Sequence, residues 1–186
     1  QVPIGVSNRH VHLSPQAVER LFGHRDKLTV MRELSQPGQY ACHETVSLIG
    51  PKGRIDRVRI LGPARGQTQV EISLYDGYTL GVVPPIRDSG DLANTPGIII
   101  QGPRGQLPIE QGLICAARHI HMHPSDAERF GVVHGQRVQV HVPGPRGITF
   151  DNVLIRVSER YRLEMHIDLD EANAGQIKNG AIAYMM

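Results

Sequence analysis

Short stretches in which apolar and polar residues alternate dominate the chain. In Val70-Glu71-Ile72-Ser73-Leu74 the apolar side chains share one face and Glu71 with Ser73 the other. Leu163-Glu164-Met165-His166-Ile167-Asp168-Leu169 repeats the scheme, with Glu164, His166 and Asp168 on the polar face. A period of two is the mark of a half-buried strand. The same reading predicts strands over residues 2–6, 28–34, 45–49, 54–61, 69–74, 97–101, 113–117, 137–142, 152–157, 164–169 and 181–185. Helical segments are few and short. One spans 15–22, with Pro15 in its first turn and Gly23 as its stop; another runs from Pro124 to a stop at Gly131. A third is expected over 168–174, before Gly175. Tight turns separate the strands: Gly50-Pro51-Lys52-Gly53, Gly62-Pro63-Ala64-Arg65-Gly66, Gly102-Pro103-Arg104-Gly105 and Gly144-Pro145-Arg146-Gly147. Each carries a basic residue at or near its tip. Residues 88–95, just after Pro84-Pro85, form the most loop-like stretch. Many short strands joined by Gly/Pro turns point to barrels or sandwiches, not to a βαβ array.

One phrase occurs twice on this pattern. Arg9-His10-Val11-His12 is matched by Arg118-His119-Ile120-His121, and each copy continues through a proline-led short helix to a glycine. An internal duplication follows, and with it a mainly β chain of two similar β-barrel domains capped by short helices. The divisions expected are 9–116 with the first His-x-His and 117–186 with the second.

His-x-His on a strand puts two imidazoles on the same face. Neutral imidazoles converging on one point make a partial metal site. A catalytic zinc site takes three protein ligands and leaves a position open, so each pair needs a third donor. Glu71 and His166 are candidates from the polar strand faces, although both positions also suit a solvated face. Nitrogen and oxygen donors without thiolate fit Zn²⁺, and also Fe, Co or Mn. His24, His43, His123, His134 and His141 are read as non-ligands, His123 continuing the alternation from His121.

Composition narrows the function. Hydrophobic residues make up 40% of the 186 and aromatics 4%, with no Trp, so the core rests on Val, Ile and Leu. A net charge of +2 and few aromatics argue against a dedicated nucleic-acid binder. Ten histidines are the compositional anomaly, and the paired motifs account for four of them. Cys42 and Cys115 form no C-x-x-C and no disulfide framework, which suits a reducing interior. No apolar run nears the roughly 18 residues that span a membrane. Gln1 in place of an initiator Met is read as the mark of a processed or shortened chain. No dinucleotide fingerprint, Walker loop or G-x-S-x-G elbow occurs, so neither a nucleotide fold nor a serine nucleophile is expected.

The Arg9-His10-Val11-His12-Leu13-Ser14 opening, the Arg118–Val132 segment and the Gly62-Pro63-Ala64-Arg65 to Leu80-Gly81 stretch resemble the PduL-type phosphate acyltransferases. These are the phosphate propanoyltransferases of bacterial microcompartments. The resemblance covers nearly the whole chain. It implies the two-barrel architecture, with N-terminal residues 1–8 packing into the C-terminal repeat. It implies zinc, two ions per chain, one on His10, His12 and Glu71 and one on His119, His121 and His166. It matches Arg65 to an essential arginine, a guanidinium suited to hold phosphate bidentately. Acyl-CoA, CoA and phosphate would be the reactants, propanoyl-CoA the usual donor. Ser7, Asn8 and Ser89 are candidate coenzyme contacts. Arg9 and Arg118 either anchor carboxylates or reach coenzyme phosphates. A homodimer is expected, with no membrane or nucleic-acid partner, in the bacterial cytoplasm and inside a microcompartment. The family's encapsulation peptide is not in these residues. Two other classes compete: a single-metal hydrolase or cupin-like oxygenase, and a scaffold protein that needs neither cluster.

Overall fold

The computed structural model describes residues 1–23 and 28–186. His24 therefore lies outside the described residues. The chain forms two compact units, Arg9–Ala116 and Gln1–Asn8 with Ala117–Met186. The first strand, β1 (Val2–Ser7), belongs to the second of these.

The Arg9–Ala116 unit contains β2 (His10–His12), α1 (Pro15–Phe22), β3 (Val30–Glu33), β4 (Tyr40–Ile49), β5 (Arg54–Gly62), β6 (Gln69–Glu71), α2 (Leu74–Leu80), β7 (Ile86–Arg87), β8 (Ile98–Gly102), β9 (Gly105–Ile109) and β10 (Leu113–Ala116). Its strands form one curled half-barrel sheet in the order β7-β10-β6-β2-β5-β4-β8-β9, with β3 paired to β4. Val11, Val70, Ile60, Leu48, Ile100 and Leu113 are fully buried beneath it. Helix α1 supplies Val18 and Leu21 to the same core. Ser14 starts that helix by accepting the Ala17 N–H, and Gly23 ends it at φ 88°, a conformation that favours glycine.

The other unit contains β1, β11 (His119–Met122), α3 (Pro124–Phe130), β12 (Arg137–Val142), β13 (Ile148–Val157), β14 (Glu164–Asp168), α4 (Leu169–Gly175) and β15 (Ile182–Met185). Its strands close a barrel, β1-β14-β11-β13-β12-β15. Closure follows because β15 pairs with β12 on one side and with β1, at Val2↔Ala183, on the other. The barrel is filled by Val2, Ile4, Ile120, Met122, Val140, Val153, Ile155 and Met165. Burying one such side chain is worth about 1.5–3 kcal/mol.

The chain is thus mainly β, with a closed barrel, a curled half-barrel and short helices. Some boundaries moved. The strand expected over 69–74 stops at Glu71, and Leu74–Leu80 is helical. Ser73 accepts the Asp76 N–H while the Asp76 carboxylate accepts the Ser73 N–H, and this capping box overrides the alternation. Strand β9 lies outside the expected strands; it contains Pro108 and forms the sheet edge, where a missing N–H is tolerated. No helix among the described residues is long and apolar enough to cross a membrane.

Candidate metal sites

Both His-x-His motifs sit on strands whose intervening residue enters the core. Val11 and Ile120 are fully buried, so His10 with His12 and His119 with His121 project from the opposite sheet face. The neighbouring antiparallel strand then supplies the third donor. On β6 the register pairs His10↔Glu71, Val11↔Val70 and His12↔Gln69. On β14 it pairs His119↔His166, Ile120↔Met165 and His121↔Glu164. In each unit the third donor is the register partner of the first histidine. The donor atoms of His10, His12 and Glu71 lie within 4.8 Å of one another, as do those of His119, His121 and His166.

In the first trio His10 Nε2 is 3.2 Å from Glu71 Oε2, and His12 Nε2 is 3.8 Å from Glu71 Oε1. The imidazole centroids are 5.0 Å apart, edge to face. In the second trio the centroid separations are 4.6 Å (His119–His121), 5.3 Å (His119–His166) and 4.9 Å (His121–His166). All four motif histidines are buried, between 4% and 8% exposed. Burial, then the charge of His10, holds His12 down at about 3, with Arg65 acting the same way. Burial, then His119, His166 and Arg156, holds His121 at about 2. Both rings are therefore neutral at neutral pH, the form that ligates metal. Burial pushes the Glu71 carboxyl up, but His10, His12 and Arg65 pull it further down, so it is held well below the usual range.

The residues present fit a divalent ion. His121 Nδ1 is buried with no hydrogen-bond partner among the described residues, whereas the His12 ring interacts with the Leu61 carbonyl. Buried ring nitrogens are ordinarily satisfied, so a missing partner points to a group other than protein. His119 Nδ1–H donates to the Ala117 carbonyl at 2.8 Å, which orients the ring and puts the lone pair on Nε2.

A side chain two residues before each third donor fixes that donor. Gln69 Nε2 donates to Glu71 Oε1 at 2.5 Å and to Ser89 Oγ at 2.9 Å, while its Oε1 accepts the Gly90 N–H at 2.9 Å. The Ser89 hydroxyl also donates to Glu71 Oε1, at 3.1 Å. In the other unit His166 Nε2–H donates to Glu164 Oε2 at 2.6 Å. The preceding arginines are latched alike. Arg9 Nε is 2.9 Å from both Asp76 carboxylate oxygens, with Nη2 at 2.8 Å. Arg118 Nη1 donates to Glu171 at 2.7 Å and Nε to the Asp151 carbonyl at 2.8 Å. Asp76 and Glu171 close the capping boxes of α2 and α4, whose caps, Ser73 and Asp168, stand two residues after Glu71 and His166. Burial raises the Glu171 carboxyl above its ordinary value, and the Arg118 hydrogen bond opposes this.

Arg65 lies in the turn after β5; its N–H donates to the Leu13 carbonyl at 2.9 Å and its Nη1 lies 3.5 Å from Ser89 Oγ. Its charge acts on His12 and Glu71. Ser89 joins the same network. Ser7 ends β1 opposite Asp168, and Asn8 is exposed just beyond it. His43, His123, His134 and His141 belong to neither trio. His123 caps α3, its Nδ1 accepting the Ser125 N–H; His134 Nδ1 accepts the Val157 N–H; His141 pairs with Thr149. Cys42 and Cys115 are buried free thiols, and burial pushes Cys42 up to about 11. Sequence reasoning missed Gln69, Asp76 and Glu171 as site residues, and it treated Glu164 only as part of a polar face. The Ser73-x-x-Asp76 and Asp168-x-x-Glu171 spacings were the available signal for the latches.

A sequence model described as phosphate propanoyltransferase matches residues 3–178. A phosphate propanoyltransferase of Thermotoga maritima is 57% identical over 98% of this chain and 88% of its own. One of Rhodobacter capsulatus is 54% identical over 97% of this chain and 84% of its own. One of Clostridioides difficile is 51% identical over 98% and 87%.

Proposed function

This chain belongs to the phosphate propanoyltransferase family of acyltransferases, and we propose that it exchanges acyl-CoA and phosphate for acyl phosphate and CoA at two zinc ions. The observation that carries the zinc reading is the matched pair of buried trios, each with its third donor opposite the first histidine. His10, His12 and Glu71 would hold one ion, and His119, His121 and His166 the other. Bound zinc would supply Lewis acidity toward a carbonyl or phosphate oxygen and would lower the pKa of a thiol.

The chain's own groups do the rest. In our reading the Arg65 guanidinium takes two phosphate oxygens and aims a third at the thioester carbon. The Ser89 hydroxyl, shared with Glu71 and Gln69, steadies that approach. A phosphate oxygen forms the new C–O bond, the C–S bond breaks, and CoA leaves as thiolate. Ser7 and Asn8 are assigned to the coenzyme arm. Arg9 and Arg118 act as strand latches, because Asp76 and Glu171 already occupy their guanidinium groups. Propanoyl over acetyl is the expected preference, one methylene being worth about 1–3 kcal/mol. The family resemblance extends the reading to a microcompartment interior, which fractionation of such compartments tests.

Elemental analysis of zinc-replete protein, with CoA release from propanoyl-CoA and phosphate, tests the whole. The expected result is about two zinc ions per chain, activity lost on chelation and zinc restoring it. One ion or none would end the two-zinc reading.

A further inference from the structure

We propose that Arg156 is a second anion-binding arginine, which receives a phosphate group of a substrate beside the His119–His121–His166 trio. The proposal rests on the acyl-transfer reading above for the identity of the anion. Strand β13 runs parallel to β11, with His121 opposite Arg156 and Ile120 opposite Ile155. Ile120 and Ile155 are fully buried in the barrel, so His121 and Arg156 both project from its outer face. The Arg156 guanidinium carbon lies 6.0 Å from the centroid of the Tyr161 ring. That ring's centroid lies 4.4 Å from the His121 ring. Tyr161 thus touches both His121 and Arg156, its ring tilted 57° to the imidazole.

Arg156 is half-buried, and its guanidinium makes no hydrogen bond or ion pair with another described residue. The two arginines that precede the histidine motifs differ: Arg9 is held by Asp76 and Arg118 by Glu171. A guanidinium that has lost part of its water without gaining an acid is unfavourable until an anion arrives. With its guanidinium carbon over the Tyr161 ring, its N–H donors can still grip two oxygens at once. Each trio then has one guanidinium whose charge reaches it, Arg65 for the first and Arg156 for the second. The anions of the proposed reaction carry phosphate, either as inorganic phosphate or on coenzyme A, and the fork geometry suits both.

The test uses zinc-loaded full chain, wild type against Arg156→Met and Arg156→Lys. KM is measured for inorganic phosphate, propanoyl-CoA and the propanoyl thioester of pantetheine. Equilibrium dialysis measures phosphate and CoA binding directly, and elemental analysis follows zinc. We expect Arg156→Met to raise KM and Kd for one phosphate-bearing ligand roughly tenfold or more, the scale of a lost charged hydrogen bond. Arg156→Lys recovers part of this, and zinc content stays that of wild type. A rise confined to inorganic phosphate assigns that source. A rise for CoA and its ester that vanishes with the pantetheine ester assigns the coenzyme phosphates. Affinities for both ligands within about twofold of wild type, or zinc lost together with affinity, would overturn the proposal. Should wild type bind phosphate or CoA but transfer no acyl group, the functional reading fails while the dialysis still decides on Arg156.

Discussion

In the Arg9–Ala116 unit a glutamate completes the trio; in the barrel unit a histidine does. The residue two positions earlier changes with it, from Gln69 to Glu164. The two substitutions make sense only together. An ionised glutamate needs a donor beside it, and the Gln69 amide supplies one to Glu71 without adding charge. An imidazole N–H needs an acceptor, and the Glu164 carboxylate supplies one to His166. Each trio therefore has one carboxylate, within it in the first case and one hydrogen bond away in the second. The frame around them was kept. In both units the motif strand lies between an antiparallel and a parallel neighbour, an arginine latches the motif to a helix cap, and that cap follows the third donor by two residues. The two units share this backbone register and differ in the third donor only together with the side chain that orients it.

The strongest challenge to this symmetry is removal of one third donor. His166→Ala should lose one zinc and keep the other, and Glu71→Ala should do the complementary thing; elemental analysis reads both. Acyl transfer should fall by roughly a thousandfold or more in each, about 4 kcal/mol of transition-state stabilisation. Loss of both ions from a single replacement would show that the trios are not independent sites. Arg65→Ala comes next. It should cost about 10²–10³ in turnover, the scale of one oriented donor to developing charge, with zinc and thermal midpoint unchanged. Normal acyl-phosphate formation by that variant would remove Arg65 from the site.

Exchanging the orienting residues tests the charge argument itself. Gln69→Glu sets a second carboxylate against Glu71 and removes its donor, and should weaken zinc at the first trio about 10–100-fold. Glu164→Gln keeps an acceptor for His166 but removes the charge, so its effect at the second trio should be at the lower end of that range. Chelator competition measures each, and equal effects would mean that hydrogen bonding alone, not charge, sets affinity.

Much of this was legible beforehand, and the part that was not had a common cause. Alternation located Glu71 and His166 on polar faces, and the repeated motif marked the four paired histidines. Periodicity gives the face on which a side chain stands, not its neighbour across the sheet. Gln69 beside Ser89, Glu164 beside His166 and Arg156 beside His121 depend on register, which alternation leaves open. Helix α2 was hidden for a different reason. Ile72-Ser73-Leu74 continues the apolar alternation, yet Ser73 and Asp76 cap a helix, and a local hydrogen-bonded box outweighs a weak strand pattern there.

The smallest expected effect also separates the two units. Both cysteines, Cys42 and Cys115, fall within Arg9–Ala116, and the barrel unit has none. Burial, with Glu44 adding to it, holds the Cys42 thiol up at about 11. The unfolded thiol loses its proton near pH 8.5, so between there and about 11 the folded chain binds more protons than the unfolded chain. Stability then falls as pH rises through that window, since the unfolded state is the one that ionises. Replacing Cys42 with Val removes this contribution while keeping a small apolar side chain in the core. The urea midpoint of wild type should therefore drop more between pH 8 and pH 10.5 than that of Cys42→Val, and hydrogen exchange should place the difference in Arg9–Ala116. A parallel fall in both proteins would mean that other alkaline groups, such as the tyrosines, carry the pH dependence.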